Sequence, residues 1–203
     1  MSDSYSSITS PVVARITRNR SRFVALLFPV SREEEIALIL ERIRREYHDA
    51  SHRASACRLF RRSDPWVKAD DAGEPRGTAG APILRELETA ALFDVIAVVV
   101  RYFGGTKLGR GGLARAYGDA VKEAIAGATR VEHRCDVRVT LRFPAELSSG
   151  VMALVRRHAA RVERVSYDAE GRMLVLLPAS RLPGFSQELA EVTGARAQCE
   201  EER

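Results

Sequence analysis

The chain has 203 residues, 45% apolar and 29% charged, the balance of an ordinary soluble globular protein with room for one large domain or two small ones. No apolar run approaches the roughly 20 residues of a membrane span, and the start MSDSYSSITS has neither a basic segment nor an apolar one, so no secretory signal is read and a cytoplasmic location is expected. The net charge of +5 falls wholly within residues 1–130, which favours a polyanionic partner over a membrane.

In chain order, the short apolar runs 12–16 and 23–28 read as two strands, or one bent strand, around the basic stretch 18–22. Ser31 and Glu34 have capping-box spacing for a helix to about Tyr47, with Ile36, Leu40, Ile43 and Tyr47 on one face. A strand is expected over 54–60. Residues 61–76, RRSDPWVKADDAGEPR, read as a long polar loop. Thr78 is the expected N-cap of a helix through Ala91, with Ile83, Leu84, Leu87 and Ala91 facing inward. The unbroken apolar run 95–100 predicts a strand buried on both faces. From Leu113, apolar residues at i, i+3, i+4 and i+7 spacing, among them Ala116, Tyr117, Ala120 and Val121, predict a further helix.

The pattern restarts after Gly127. An alternating strand at 135–143 is followed by a helix at 147–160, strands at 162–167 and 173–177, a helix at 182–192 and a weak strand at 195–199. That order, βαββαβ, is the split βαβ plait of ferredoxin-like domains.

Between the buried strand and its following helix lies the stretch with most chemistry. Gly104, Gly105, Gly109, Gly111 and Gly112 alternate with Lys107 and Arg110, preceded by Arg101 and followed by Arg115. Glycines let successive N–H groups turn into one concavity, and a helix N-terminus adds positive potential, so the stretch suits an anion. It is neither a Walker A motif nor GxGxxG, and glycines serving only tight turns and close packing explain it equally well. His52, at a helix-to-strand junction, is a candidate base, ligand or orienting group, with a structural role as the alternative. Asp70, Asp71 and Glu74 place three carboxylates in five residues, suited to a cation or a base, but their spacing is not that of a calcium loop and a solvated acidic turn is the simpler reading. Cys57, Cys135 and Cys199 are few and far apart, which supports neither a disulfide framework nor a zinc site. No metal and no cofactor is expected.

The segments SRFVALLFPV, REYHDASHRASACRL, DDAGEPRGTAGAPIL and VVVRYFGGTKLGRGGLARAYGDA resemble the Impact/YigZ family, the last matching its RYFGG-x-KLG-x-GGL-x-RAY pattern throughout. The resemblance implies an α+β protein of two domains. Residues 1–128 would form a two-layer α/β unit similar to the second domain of the fifth small-subunit ribosomal protein. Residues 132–203 would form a ferredoxin-like plait similar to the last domain of elongation factor G. Eukaryotic relatives modulate a translation-control kinase pathway by competing for its activator, and the bacterial family carries no settled enzymatic activity. Two departures from the family's DDGEP-S-GTAG stand out: Ala72 precedes Gly73-Glu74-Pro75, and Arg76 replaces a small residue.

These residues support three functions. In the first, a translation-associated protein that is not an enzyme binds RNA or the ribosome through Arg101, Lys107, Arg110, Arg115 and the loop glycines, with His52, Asp71, Glu74, Arg76 and Thr78 forming an adjoining pocket. In the second, the same loop holds the phosphate of a substrate in phosphoryl-transfer or phosphate-ester chemistry. In the third, the basic face docks an acidic, translation-related protein.

Overall fold

The apolar run 95–100 lies in β6 (Val95–Tyr102), the central strand of a five-stranded antiparallel sheet, and all six of its residues are buried. The computed structural model, which describes residues 3–202, places β3 (Ser21–Pro29) on one side of β6 and β4 (His52–Leu59) on the other. The edges are β2 (Val12–Arg18) and β5 (Trp66–Asp70). Side chains alternate across a strand. Val95, Ala97 and Val99 therefore pack with Ile83 and Leu87 of α2 (Gly80–Thr89) and with Leu113, Tyr117 and Val121 of α3 (Gly109–Ala126). Ile96, Val98 and Val100 pack on the opposite side with Ile36 and Ile43 of α1 (Glu33–Glu46). Burying side chains of this size stabilises by about 1.5–3 kcal/mol each, so an uninterrupted apolar strand is what two covered faces require. The α+β class is as expected, and α1 adds a third layer to the two-layer arrangement.

Three strands arise where none was expected. β5 forms inside the polar stretch 61–76, while β1 (Ser4–Ile8) and β7 (Arg130–Arg134) make a separate two-stranded sheet. Helix starts differ as well. Ser31 pairs with Glu35 rather than Glu34, its N and Oγ lying 2.8 and 3.0 Å from the carboxylate, and Arg32 occupies the N-cap of α1. α3 begins at Gly109, four residues before its apolar face does.

Residues 5–133 make one compact unit; the other comprises residues 134–202 with residues 3 and 4. In the second unit β8 (Asp136–Phe143), α4 (Ser148–Arg157), β9 (Arg161–Tyr167), β10 (Gly171–Pro178), α5 (Leu182–Thr193) and β11 (Gln198–Glu201) follow the expected βαββαβ order. The sheet order is β11-β8-β10-β9, antiparallel throughout. Val137, Val139, Leu141 and Phe143 alternate inward against Val151, Leu154, Phe185 and Leu189. Gly171 sits against Phe143, where a Cβ would lie 2.5 Å from the ring, so only glycine fits. Asp3 belongs to this unit, its carboxylate accepting from the amide and hydroxyl of Ser180.

Candidate functional site

Arg101 continues the row Val95, Ala97, Val99 and so faces α2 and α3, opposite His52 of β4 and Phe23 of β3. It is only 5% exposed, which corrects the expectation of a phosphate contact on the loop. A buried guanidinium needs a counter-ion, and Nη1 of Arg101 donates to Oε1 of Glu74 at 2.6 Å. The Tyr117 hydroxyl, from α3, donates to the same oxygen at 2.8 Å, and His52 Nε2 lies 3.9 Å from it. Burial, and then the bond to Glu74, push the Tyr117 phenol far above its ordinary range, so it stays protonated and donates. His52 Nδ1 lies 3.0 Å from the Ala72 carbonyl, which can only accept; Nδ1 thus carries the proton and Nε2 is turned toward Glu74.

Ala72 adopts φ +48°, a left-handed bend that inserts it between Asp71 and Gly73 and presents its carbonyl to His52. Asp71 remains in place and caps α2. Its Oδ1 accepts from the amides of Ala79 and Gly80, both at 2.9 Å, and its Oδ2 from Gly77 at 2.7 Å. Burial raises the Asp71 pKa, but the three amides together with the Arg110 charge outweigh it and hold the carboxyl below its usual range. Thr78, the expected N-cap, instead donates its hydroxyl to the Pro75 carbonyl at 2.6 Å, and Ala79 takes the N-cap position. Asp70 bonds the Ala72 amide. The three carboxylates therefore serve three separate ends. Among the described residues no group of three or more His, Cys, Asp or Glu is placed to hold a metal ion.

Above Glu74 and Arg101 opens a cleft of about 350 Å³ whose polar lining is His52, Glu74, Arg101, Lys107 and Arg110, with Pro75, Phe103, Leu108 and Leu113 as its apolar walls. Phe103 is 51% exposed, so one face of its ring is open to solvent at the cleft. Arg110 is fixed at the rim by donating from Nη2 to the Arg76 carbonyl at 2.9 Å; Arg76 thus contributes its backbone, and its side chain is not part of the lining. Gly109 opens α3 at the same cleft.

The other expected loop residues have different roles. Gly104 approaches the backbone of Arg20 so closely that a Cβ would lie 2.0 Å from its carbonyl oxygen, and its amide is taken by the Ser21 hydroxyl at 3.2 Å. Gly105 provides a turn with φ +83°. A Cβ on Gly112 would press on Leu108 at 3.2 Å. Gly111 lies in the first turn of α3 with open space beside it. Arg115 lines a different hollow, beside Arg85, Glu86 and Asp119. Composition and spacing did not single out Tyr117 or Phe103: the first read as one more apolar residue of a helical face, the second as the end of a strand.

Residues 19–125, which contain every residue of this cleft, match the family model of the Impact N-terminal domain. The chain belongs to the IMPACT family. Among IMPACT family relatives, YigZ of Escherichia coli (strain K12) is 33% identical over 183 residues, covering 90% of this chain and 90% of the relative. YvyE of Bacillus subtilis (strain 168) is 41% identical over 134 residues, 66% of this chain, and the match spans 61% of the length of YvyE. A crystal structure described only as that of a hypothetical protein is 30% identical, with a TM-score of 0.67 over 100% of this chain and 99% of that one.

Proposed function

We propose that this IMPACT family member is a translation-associated regulatory protein whose first unit binds single-stranded RNA across the mouth of the cleft. The observation that carries the reading is the grouping of an exposed Phe103 ring with Lys107, Arg110 and the N-terminus of α3 around one opening. An aromatic face stacks an unpaired base, and adjoining cations with a helix N-terminus meet the phosphate beside it. The positive excess of residues 1–130 supports capture of a polyanion. The translation-associated part rests on family membership, through the resemblance that ties eukaryotic relatives to translational control. Binding is favoured over catalysis because Glu74 is engaged as counter-ion to Arg101 and acceptor of Tyr117, which removes the carboxylate an enzymatic reading would use as base.

The test is a salt titration of the affinity of the full chain for a fluorescent single-stranded RNA. Replacing Lys107 and Arg110 by alanine lowers affinity and flattens the log–log slope by roughly 0.7 for each phosphate no longer neutralised. An unchanged affinity and slope would remove the proposal, and recovery of an acidic protein partner that survives nuclease treatment would favour the docking reading.

A further inference from the structure

The five-stranded sheet of the first unit ends on β2, which pairs with β3 on one side and, among the described residues, with no strand on the other. A bare sheet edge is a template for a further strand, and proteins blunt it by shortness, bulges, proline or a covering element. Three other edges follow that rule. β5 has five residues and β11 four, and the register of β9 against β10 is broken at Leu174 and Val175. β2 has seven residues, no proline and an unbroken register from Val12 opposite Leu27 to Arg18 opposite Ser21.

The hairpin decides which backbone groups of β2 face out. Asn19 and Arg20 have φ of +45° and +64°, so a two-residue turn closes Arg18 and Ser21 into a mutually hydrogen-bonded pair. Alternation then sends the amides and carbonyls of Val13, Arg15 and Thr17 away from β3. Among the described residues those of Val13 and Arg15 have no partner, and the Thr17 carbonyl accepts from the exposed Arg18 side chain alone. The side chains of the same three residues are exposed, whereas Val12, Ala14 and Ile16 pack toward α3. One face of the edge therefore presents Val13, Arg15 and Thr17, with Arg22 across from Thr17. Residues 12–22 hold four arginines and no acidic residue. Of the four, only Arg18 has a carboxylate partner among the described residues, Asp119 at 3.2 Å.

We infer that the outer edge of β2 takes an extended acidic segment of a partner protein as a sixth strand of the sheet. Main-chain hydrogen bonds supply the pairing, and the side chains select the sequence: an acidic residue beside Arg15 and, two positions away on the same face, an apolar one beside Val13. The edge favours a peptide over a nucleic acid because it alternates donors and acceptors, whereas a phosphate only accepts and would match the amides alone. A second copy of this chain is disfavoured by Arg15 itself. It is the middle residue of β2, so a symmetric antiparallel pairing of two copies sets Arg15 against Arg15. Charge of one sign thus keeps copies apart and still admits an acidic strand. The inference is independent of RNA binding at the cleft.

The experiment titrates the full chain with three short fluorescent peptides. The first has valine and glutamate alternating at every second position with threonine between them, the second carries lysine in place of glutamate, and the third is the first with a central proline. Only the first is expected to bind. Hydrogen exchange followed by NMR should then show new protection at the amides of Val13, Arg15 and Thr17 and none at Ala14 and Ile16, which β3 already holds. Arg15→Glu should melt at the temperature of the parent, since the side chain is exposed and makes no ion pair among the described residues. It should weaken the glutamate peptide about tenfold and gain affinity for the lysine peptide. Replacing Lys107 and Arg110 by alanine should leave peptide affinity unchanged, so failure at the edge and failure at the cleft are read separately. No binding of the glutamate peptide, equal binding of its proline version, or binding without the alternating protection overturns the inference. Loss of RNA affinity in Arg15→Glu without peptide binding overturns it as well and assigns the edge to nucleic acid.

Discussion

At the scale of single residues, Glu74 is where sequence and structure part most instructively. One of its oxygens meets a cation from β6 and a hydroxyl from α3, and the side chains involved are almost wholly buried. Taking such a pair out of water costs about as much as its attraction returns, but removing one partner strands the other. Glu74→Ala is therefore expected to destabilise the first unit by about 3–5 kcal/mol, whereas Tyr117→Phe, which removes one neutral donor, should cost about 1–2 kcal/mol. Urea unfolding at neutral pH measures both, and equal losses would show that the ion pair is not the dominant member of the cluster. Arg101 was open to being read correctly: it shares the parity of Val95, Ala97 and Val99, and strand alternation alone sends it inward. Its charge and its place beside a glycine-rich loop argued the other way, and the partner that permits burial lies 27 residues away in the sequence.

Among the elements, those whose signal lies within their own window were legible. The two-face burial of β6 follows from six apolar residues in a row, and the plait follows from alternation at 135–143 with two helical periods after it. β5 was not legible because WVKAD is an edge strand, only Trp66 being half-buried, so it has no buried face to impose a period. β1 and β7 are short and largely polar, and each exists only by pairing with a strand at the other end of the unit. The cap of α2 was missed for a related reason, since Asp71 reaches forward across a bend to amides six to nine residues on, outside any capping-box spacing. Asp71→Ala should cost about 1–2 kcal/mol, the upper part of the range for a lost N-cap. Because the folded-state pKa of Asp71 is depressed, its contribution is fully present above the unfolded-state value of about 3.9 and is lost as pH falls through the native value. Melting temperatures recorded from pH 6 to pH 2 should accordingly fall less steeply for Asp71→Asn than for the parent at the acid end. Parallel curves would mean that the three amides do not favour the ionised form.

At the scale of the whole molecule, charge and cleft fall in the same part of the chain. Every residue lining the cleft lies between positions 52 and 113, and the net positive excess is confined to residues 1–130. The second unit is also rich in arginine, but acidic residues balance the charge there, and several of its arginines are paired with them. Arg138 lies 3.0 Å from Glu163, Arg172 3.0 Å from Glu170, and Arg142 4.0 Å from Glu200. Exposed pairs of this kind add little stability, about 0–1 kcal/mol each, yet they cancel the potential that would draw a phosphate backbone. The salt dependence of RNA binding should therefore discriminate between the units. Replacing Arg138 and Arg142 together by alanine is expected to leave the log–log slope unchanged, while replacing Lys107 and Arg110 lowers it by roughly 0.7 per phosphate. The two double variants carry the same change in net charge, so a non-specific effect of charge would move both slopes alike. A fall in slope confined to Arg138 and Arg142 would place the phosphate-binding groups on the plait and leave the cleft of the first unit without its polyanion.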